Sequence, residues 1–260
     1  MASIRIWPVN AQSTGSKSAE EERKMLVFET VNELALKVTC RGSDVLYTKA
    51  GAFIAGESLG GKNYRFEKVL LGPQQGVLQA AFGALARRAA GENLPLMKVT
   101  MSGDSETYYA NFGQHVIAYK LDRGEVVSVE SENILAFTGD CDYSVRFLGS
   151  GVVSQKGIAT STLTGRGPNA YVAILSDGNP LVISNVRSQS TISVDPDAVI
   201  CWMGQGNYNC DPQIKTDLNW KNLIGQASGE SYAYEWGANQ PVTVVIQPSE
   251  RSGGIRVAVD

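Results

Sequence analysis

Short apolar stretches recur along the chain with polar residues between them, and many alternate residue by residue. Examples are LALKVTC, DVLYTKAGAFIAG, LMKVTMSG, HVIAYKLDRG, DYSVRFLG, AYVAILSDGNPLVIS and PVTVVIQPSE. They are rich in Val, Ile, Thr and Tyr, and SGD, DRG, GRGPN and SDGNP punctuate them. Alternation with a period of two, bounded by turn residues at close spacing, is the pattern of an all-β sandwich or barrel. GRGPN, from Gly165, reads as a hairpin turn.

One segment departs from this. PQQGVLQAAFGALARRAAGENL places Val77, Leu78, Ala81, Phe82 and Leu85 on one helical stripe. Pro73 and Gly91 stand where helix ends favour them, so a short helix is expected near 74–91. Arg87 and Arg88 flank the stripe. Phe82, Leu85, Arg87 and Arg88 are therefore the candidate partner or membrane surface, with the basic side chains snorkelling beside an apolar face. The plainer reading, favoured here, is a stripe that covers an open end of the β-structure.

Two stretches share a plan. VVSVESENILAFTG (Val126 to Gly139) and TISVDPDAVICWMG (Thr191 to Gly204) each run from an apolar alternation through a polar step into a second apolar run. A third copy begins at Val45, so Ile54, Leu135 and Ile200 coincide, at offsets of 81 and 65 residues. These offsets exceed the 20 to 50 residue periods of solenoids and propeller blades. The expected organisation is three tandem β-units, each a few strands around a hairpin, over 25–110, 111–183 and 184–250. A flexible segment, 1–24, precedes them and a tail, 251–260, follows. No long Pro- or Ser-rich linker divides them, so the units are expected to pack as one body with a pseudo-threefold repeat. Strand edges need covering and soluble oligomers are mostly symmetric, so self-association is expected too.

Six stretches in order carry a family resemblance: VLYTKAGAFIAGES, ARRAAGENLPLMKVTMSG, HVIAYKLDRGEVVSVESENILAFT, DYSVRFLG, STISVDPDAVICWMG and ASGESYAYEWGANQPVTVVIQPSE. Together they resemble the altered-inheritance-of-mitochondria 24 family, named for a yeast protein and with many bacterial members of unassigned function. The resemblance implies tandem units similar to the tryptophan RNA-binding attenuation protein (TRAP-like), a fold grouped with double-stranded β-helices. It implies ring-like or trimeric assembly and carries over no catalytic residue. The helical segment departs from the family in being Ala- and Arg-rich.

Composition narrows the function classes. A net charge of −3 and a pI near 5.4 supply no general basic field for nucleic acid or an anionic membrane. No apolar run of membrane-spanning length occurs, and the first residues lack a signal-peptide plan, so a cytoplasmic location is expected. Cys40, Cys141, Cys201 and Cys210 form no CxxC pair and are expected as buried, inert thiols.

His115 is the single histidine, too few for an imidazole metal site or an evident triad. Asp140 with Asp142 and Asp195 with Asp197 are the carboxylate candidates for a divalent cation, and turn chemistry is the plainer role of each pair. GESLG at Gly56 to Gly60 matches the spacing of a nucleophile elbow, but no helical pattern follows it. Dinucleotide and Walker patterns are absent. Trp202, Trp220 and Trp236 could stack on a sugar, although their surroundings favour core packing. The expectation is therefore a non-enzymatic scaffold or binding protein with no catalytic, cofactor or metal residues and no cofactor. A single-stranded-RNA-binding ring and a peripheral membrane protein are the alternatives, and nucleic acid is the less expected partner. Protein or lipid surfaces remain partners of this reading.

Overall fold

The structure is a computed structural model that describes residues 25–69, 96–148, 159–204, 210–216 and 232–248. The described residues are almost wholly β. The first strands are β1 (Met25–Val31), β2 (Ala35–Arg41), β3 (Ser43–Lys49), β4 (Phe53–Ser58), β5 (Tyr64–Val69), β6 (Leu96–Ser102) and β7 (Ser105–Tyr109). Then come β8 (His115–Lys120), β9 (Val126–Val129), β10 (Ile134–Thr138), β11 (Cys141–Phe147), β12 (Ala159–Gly165) and β13 (Tyr171–Ser176). The last are β14 (Leu181–Ser184), β15 (Ile192–Val194), β16 (Val199–Gly204), β17 (Gln213–Thr216), β18 (Tyr232–Trp236) and β19 (Val242–Ile246). No α-helix occurs among the described residues. The helix expected near 74–91 lies outside them, as do the segments 1–24 and 251–260.

Pairing is antiparallel throughout these strands. They form a four-stranded sheet, β1-β2-β7-β4, and two six-stranded sheets, β5-β6-β3-β10-β13-β8 and β11-β12-β9-β16-β19-β14. A three-stranded sheet, β15-β18-β17, completes the set. One pairing plan recurs three times. The trio β2-β7-β4 is matched by β8-β13-β10 and by β14-β19-β16. The trio β5-β6-β3 is matched by β11-β12-β9 and by β17-β18-β15.

The sequence copies fall in register on this plan. In each copy the second strand carries a bulge at the aligned residue: between Phe53 and Ala55, between Ile134 and Ala136, and between Val199 and Cys201. An extra residue at one place bends the strand and strengthens its twist, which lets it leave one sheet for the next. The two strands of a copy do not form the expected hairpin. β9 and β10 lie in different sheets, as do β3 and β4, and β15 and β16. Short 3-10 turns, Ser131–Asn133 and Pro196–Ala198, redirect the chain in the last two copies. Asp195 holds one of them by accepting the Asp197 N–H at 2.8 Å. GRGPN is not a hairpin turn either, because it links β12 to β13 in the neighbouring sheet.

The sheets pack face to face around three apolar clusters. Leu36, Val38, Leu46, Val99, Met101 and Tyr109 lie between the first two sheets. Val127, Ile134, Phe137, Leu163, Val172 and Ile200 lie between the six-stranded pair. Val194, Trp202, Tyr234, Trp236, Val242 and Val244 lie between the third and fourth. Burial follows position in this order. β2 alternates buried and half-buried residues, as a one-faced strand does, whereas every residue of β10 and β16 is buried.

Candidate functional site

The feature that stands apart is β4. Its counterparts β10 and β16 are central strands, each paired on both sides. β4 pairs only with β7, and no strand among the described residues occupies its other edge. Leu135 and Ile200, the bulge residues of β10 and β16, are 0% exposed, while Ile54 at the same position is 58% exposed. Beyond it Leu59 is also exposed. An apolar strand edge left bare in this way is a template for another strand.

Aromatic side chains pack closely beside β4. Phe53 packs edge-on against Phe66 and Tyr109, with centroids 4.9 and 5.9 Å apart. Gly56 lies under Tyr64, and a Cβ there would come within 2.6 Å of the phenol oxygen. At the far end of β4 a groove of about 500 Å³ is lined by Arg41, Glu57, Ser58, Leu59, Asp104 and Glu106, among others. Lys37 binds Glu106 at 2.8 Å, and this hydrogen bond lowers the Glu106 carboxyl and raises the Lys37 amine from their ordinary values. At the opposite end of the sheet series β15 pairs only with β18. Ile192 and Val194 point into the core and Ser193 is exposed.

The chemistry candidates are not brought together. His115 opens β8 with Nδ1 4.0 Å from the Glu33 carboxylate. Asp140 accepts the Asn169 N–H at 2.8 Å, and Asp142 pairs with Arg166 at 2.7 Å. Asp195 and Asp197 form the turn described above, so these carboxylates serve local backbone and ion-pair contacts. Ser58 of GESLG ends a strand, and its hydroxyl accepts the Asn63 N–H at 3.2 Å. No group of three or more His, Cys, Asp or Glu able to hold a metal ion occurs among the described residues.

The four cysteines are free and buried. Burial pushes the Cys40 and Cys210 thiols up to about 11, Cys141 to about 12, and Cys201 higher still. Such thiols are poor nucleophiles. Trp202 and Trp236 are core residues, so neither presents a face to a sugar. Phe82, Leu85, Arg87, Arg88 and Trp220 lie outside the described residues.

With the fold in place, comparison with known proteins decides the family. The family model described as Mitochondrial biogenesis AIM24 matches residues 28–249. The chain belongs to the AIM24 family. The match spans β4 and β15 alike, so both edges lie inside the AIM24 region. A protein of Streptococcus pyogenes, solved by crystallography in a structural-genomics programme, shares the fold with a TM-score of 0.62 and 18% identity. That likeness covers 88% of this chain and 94% of the other. No curated protein matches the sequence. Among the described residues no helix is long and apolar enough to cross a membrane.

Sequence reading missed the β4 edge. Its only signal is the alignment of Ile54 with Leu135 and Ile200, which by itself suggests equal burial. What distinguishes Ile54 is that, among the described residues, its strand pairs on one edge only.

Proposed function

We propose that this AIM24-family chain is a non-enzymatic, self-associating β-scaffold or binding protein. The observation that carries this reading is the bare edge of β4, a strand whose two counterparts are central and buried. Burying Ile54 and supplying its edge with hydrogen bonds favours assembly through both apolar transfer and backbone pairing. A ring-like or trimeric assembly on the plan of the tryptophan RNA-binding attenuation protein is the form we propose, supported by the threefold recurrence of the pairing plan. The separation of His115, Ser58 and the aspartate pairs supports a role without chemistry. RNA is not part of the proposal, because a net charge of −3 supplies no general basic field.

Native mass spectrometry of the full chain tests this, with absorbance at 260 and 280 nm measured alongside. A discrete multimer of bare mass and protein-like absorbance is expected. A monomer at every micromolar concentration, or mass added by nucleic acid, overturns the proposal.

A further inference from the structure

The two terminal sheets are complementary halves of the internal ones. Joining β15 to β4 gives the order β17-β18-β15-β4-β7-β2, which matches β5-β6-β3-β10-β13-β8 and β11-β12-β9-β16-β19-β14 position for position. The two internal joins also share one register. In the β3–β10 join Thr48 lies opposite Ala136 and Tyr47 opposite Phe137. In the β9–β16 join Val129 lies opposite Cys201 and Ser128 opposite Trp202. On the offsets of 81 and 65 residues these are equivalent pairs, and the three bulges fix the β4, β10 and β16 side of them independently.

We infer that β4 of one chain pairs antiparallel with β15 of a second copy, with Ala55 opposite Val194, Gly56 opposite Ser193 and Glu57 opposite Ile192. The inference rests on the self-association proposed above and adds its surface, partner and register. The occupant is a second copy because the edge that fits β4 is a third-unit edge. Within one chain, β4 and β15 belong to separate sheets with no hydrogen bond joining them. Ile54 is the anchor. Leu135 enters the cluster of Leu46 and Val99, and Ile200 enters that of Val127 and Leu163, in each case the core of the preceding unit. By the same step Ile54 enters the partner's cluster, beside Val194 and Trp202. Backbone pairing repeats as well: Glu130 N–H donates to Ile200 O at 2.9 Å, and Asp195 N–H of the partner is the equivalent donor to Ile54 O. The contact is head-to-tail, so it closes into a ring or extends into a filament.

The test is co-expression of two differently tagged full-length chains, one carrying Ala55→Cys and the other Val194→Cys, followed by mild oxidation. Directly opposed residues of an antiparallel pair have Cβ atoms within reach of a disulfide. A covalent dimer carrying both tags, and absent when either variant is expressed alone, is expected. A native multimer without that mixed dimer overturns the β4–β15 pairing while leaving self-association intact. A double variant, Ala55→Cys with Val194→Cys, that yields only internally linked monomer also overturns it, by showing that the edges meet within one chain. Ile54→Asp gives a second reading in a variant expected to fold, because the residue is exposed in the single chain. Its mass should drop to monomer with an unchanged circular dichroism spectrum. An unchanged multimer overturns the inference.

Discussion

Leu135 and Ile54 occupy the same position of the repeated pattern, so truncating each to alanine isolates the effect of place in the fold. Leu135 is fully buried at a central bulge. Removing three carbons there loses about 0.8 kcal/mol for each, and the cavity term raises the total to about 3 to 4 kcal/mol. Ile54 is 58% exposed on an edge that can relax, so Ile54→Ala costs about 1 kcal/mol or less. Urea unfolding followed by tryptophan fluorescence, in protein dilute enough to be monomeric, reads both. With a slope of about 3 kcal/mol per molar urea, the midpoints should fall by about 1 M for Leu135→Ala and about 0.3 M for Ile54→Ala. On concentrating the protein, wild type should gain stability by mass action and Ile54→Ala should gain less. If Ile54→Ala in dilute protein costs as much as Leu135→Ala, then Ile54 is covered within one chain and the edge is not free.

Three further outcomes follow from the packing. Trp236 donates its indole N–H to Cys210 O at 3.2 Å, whereas the Trp202 indole N–H is buried without a partner among the described residues, so Trp236→Phe should cost about 1 kcal/mol more than Trp202→Phe in urea titrations. An added Cβ at Gly165 would overlap the Asp122 carbonyl oxygen, so Gly165→Ala should lower stability by about 2 kcal/mol or more, read as a drop in melting temperature. The buried thiols keep their protons to about 11 or above, against 9.0 for an ordinary thiol, so the folded chain binds more protons than the unfolded one in that window. Their contribution is complete below about pH 9 and lost as pH rises toward 12, and a urea midpoint that instead climbs between pH 9 and 11 would contradict this origin.

Much of the fold was legible because alternation and β-branched content are local signals. Val126–Val129 and Ile134–Thr138 were visible as two strands, and the shared register of Ile54, Leu135 and Ile200 was visible before their bulges were. What each strand pairs with was not legible. The polar steps containing SEN and PDA read only as links between two apolar runs, and they form 3-10 turns that send the chain into another sheet. GRGPN misled, since Gly and Pro announce a turn without saying which sheet follows. The turn chemistry expected of the acidic pairs is present at Asp195, which accepts the Asp197 N–H, whereas Asp140 bonds the sequence-distant Asn169 N–H and Asp142 pairs with Arg166. The candidate edge was hidden because exposure depends on which strand pairs beside it, and no side chain encodes that.

Hydrogen exchange read by mass spectrometry, in dilute and in concentrated protein, is the most direct measurement of all. Peptides covering Ile134–Thr138 and Val199–Gly204 should be protected at both concentrations, while those covering Phe53–Ser58 and Ile192–Val194 should exchange fast when dilute and become protected together on concentration. Protection of Phe53–Ser58 in the dilute monomer, or no change in it as the chain associates, would contradict an edge completed by a second copy.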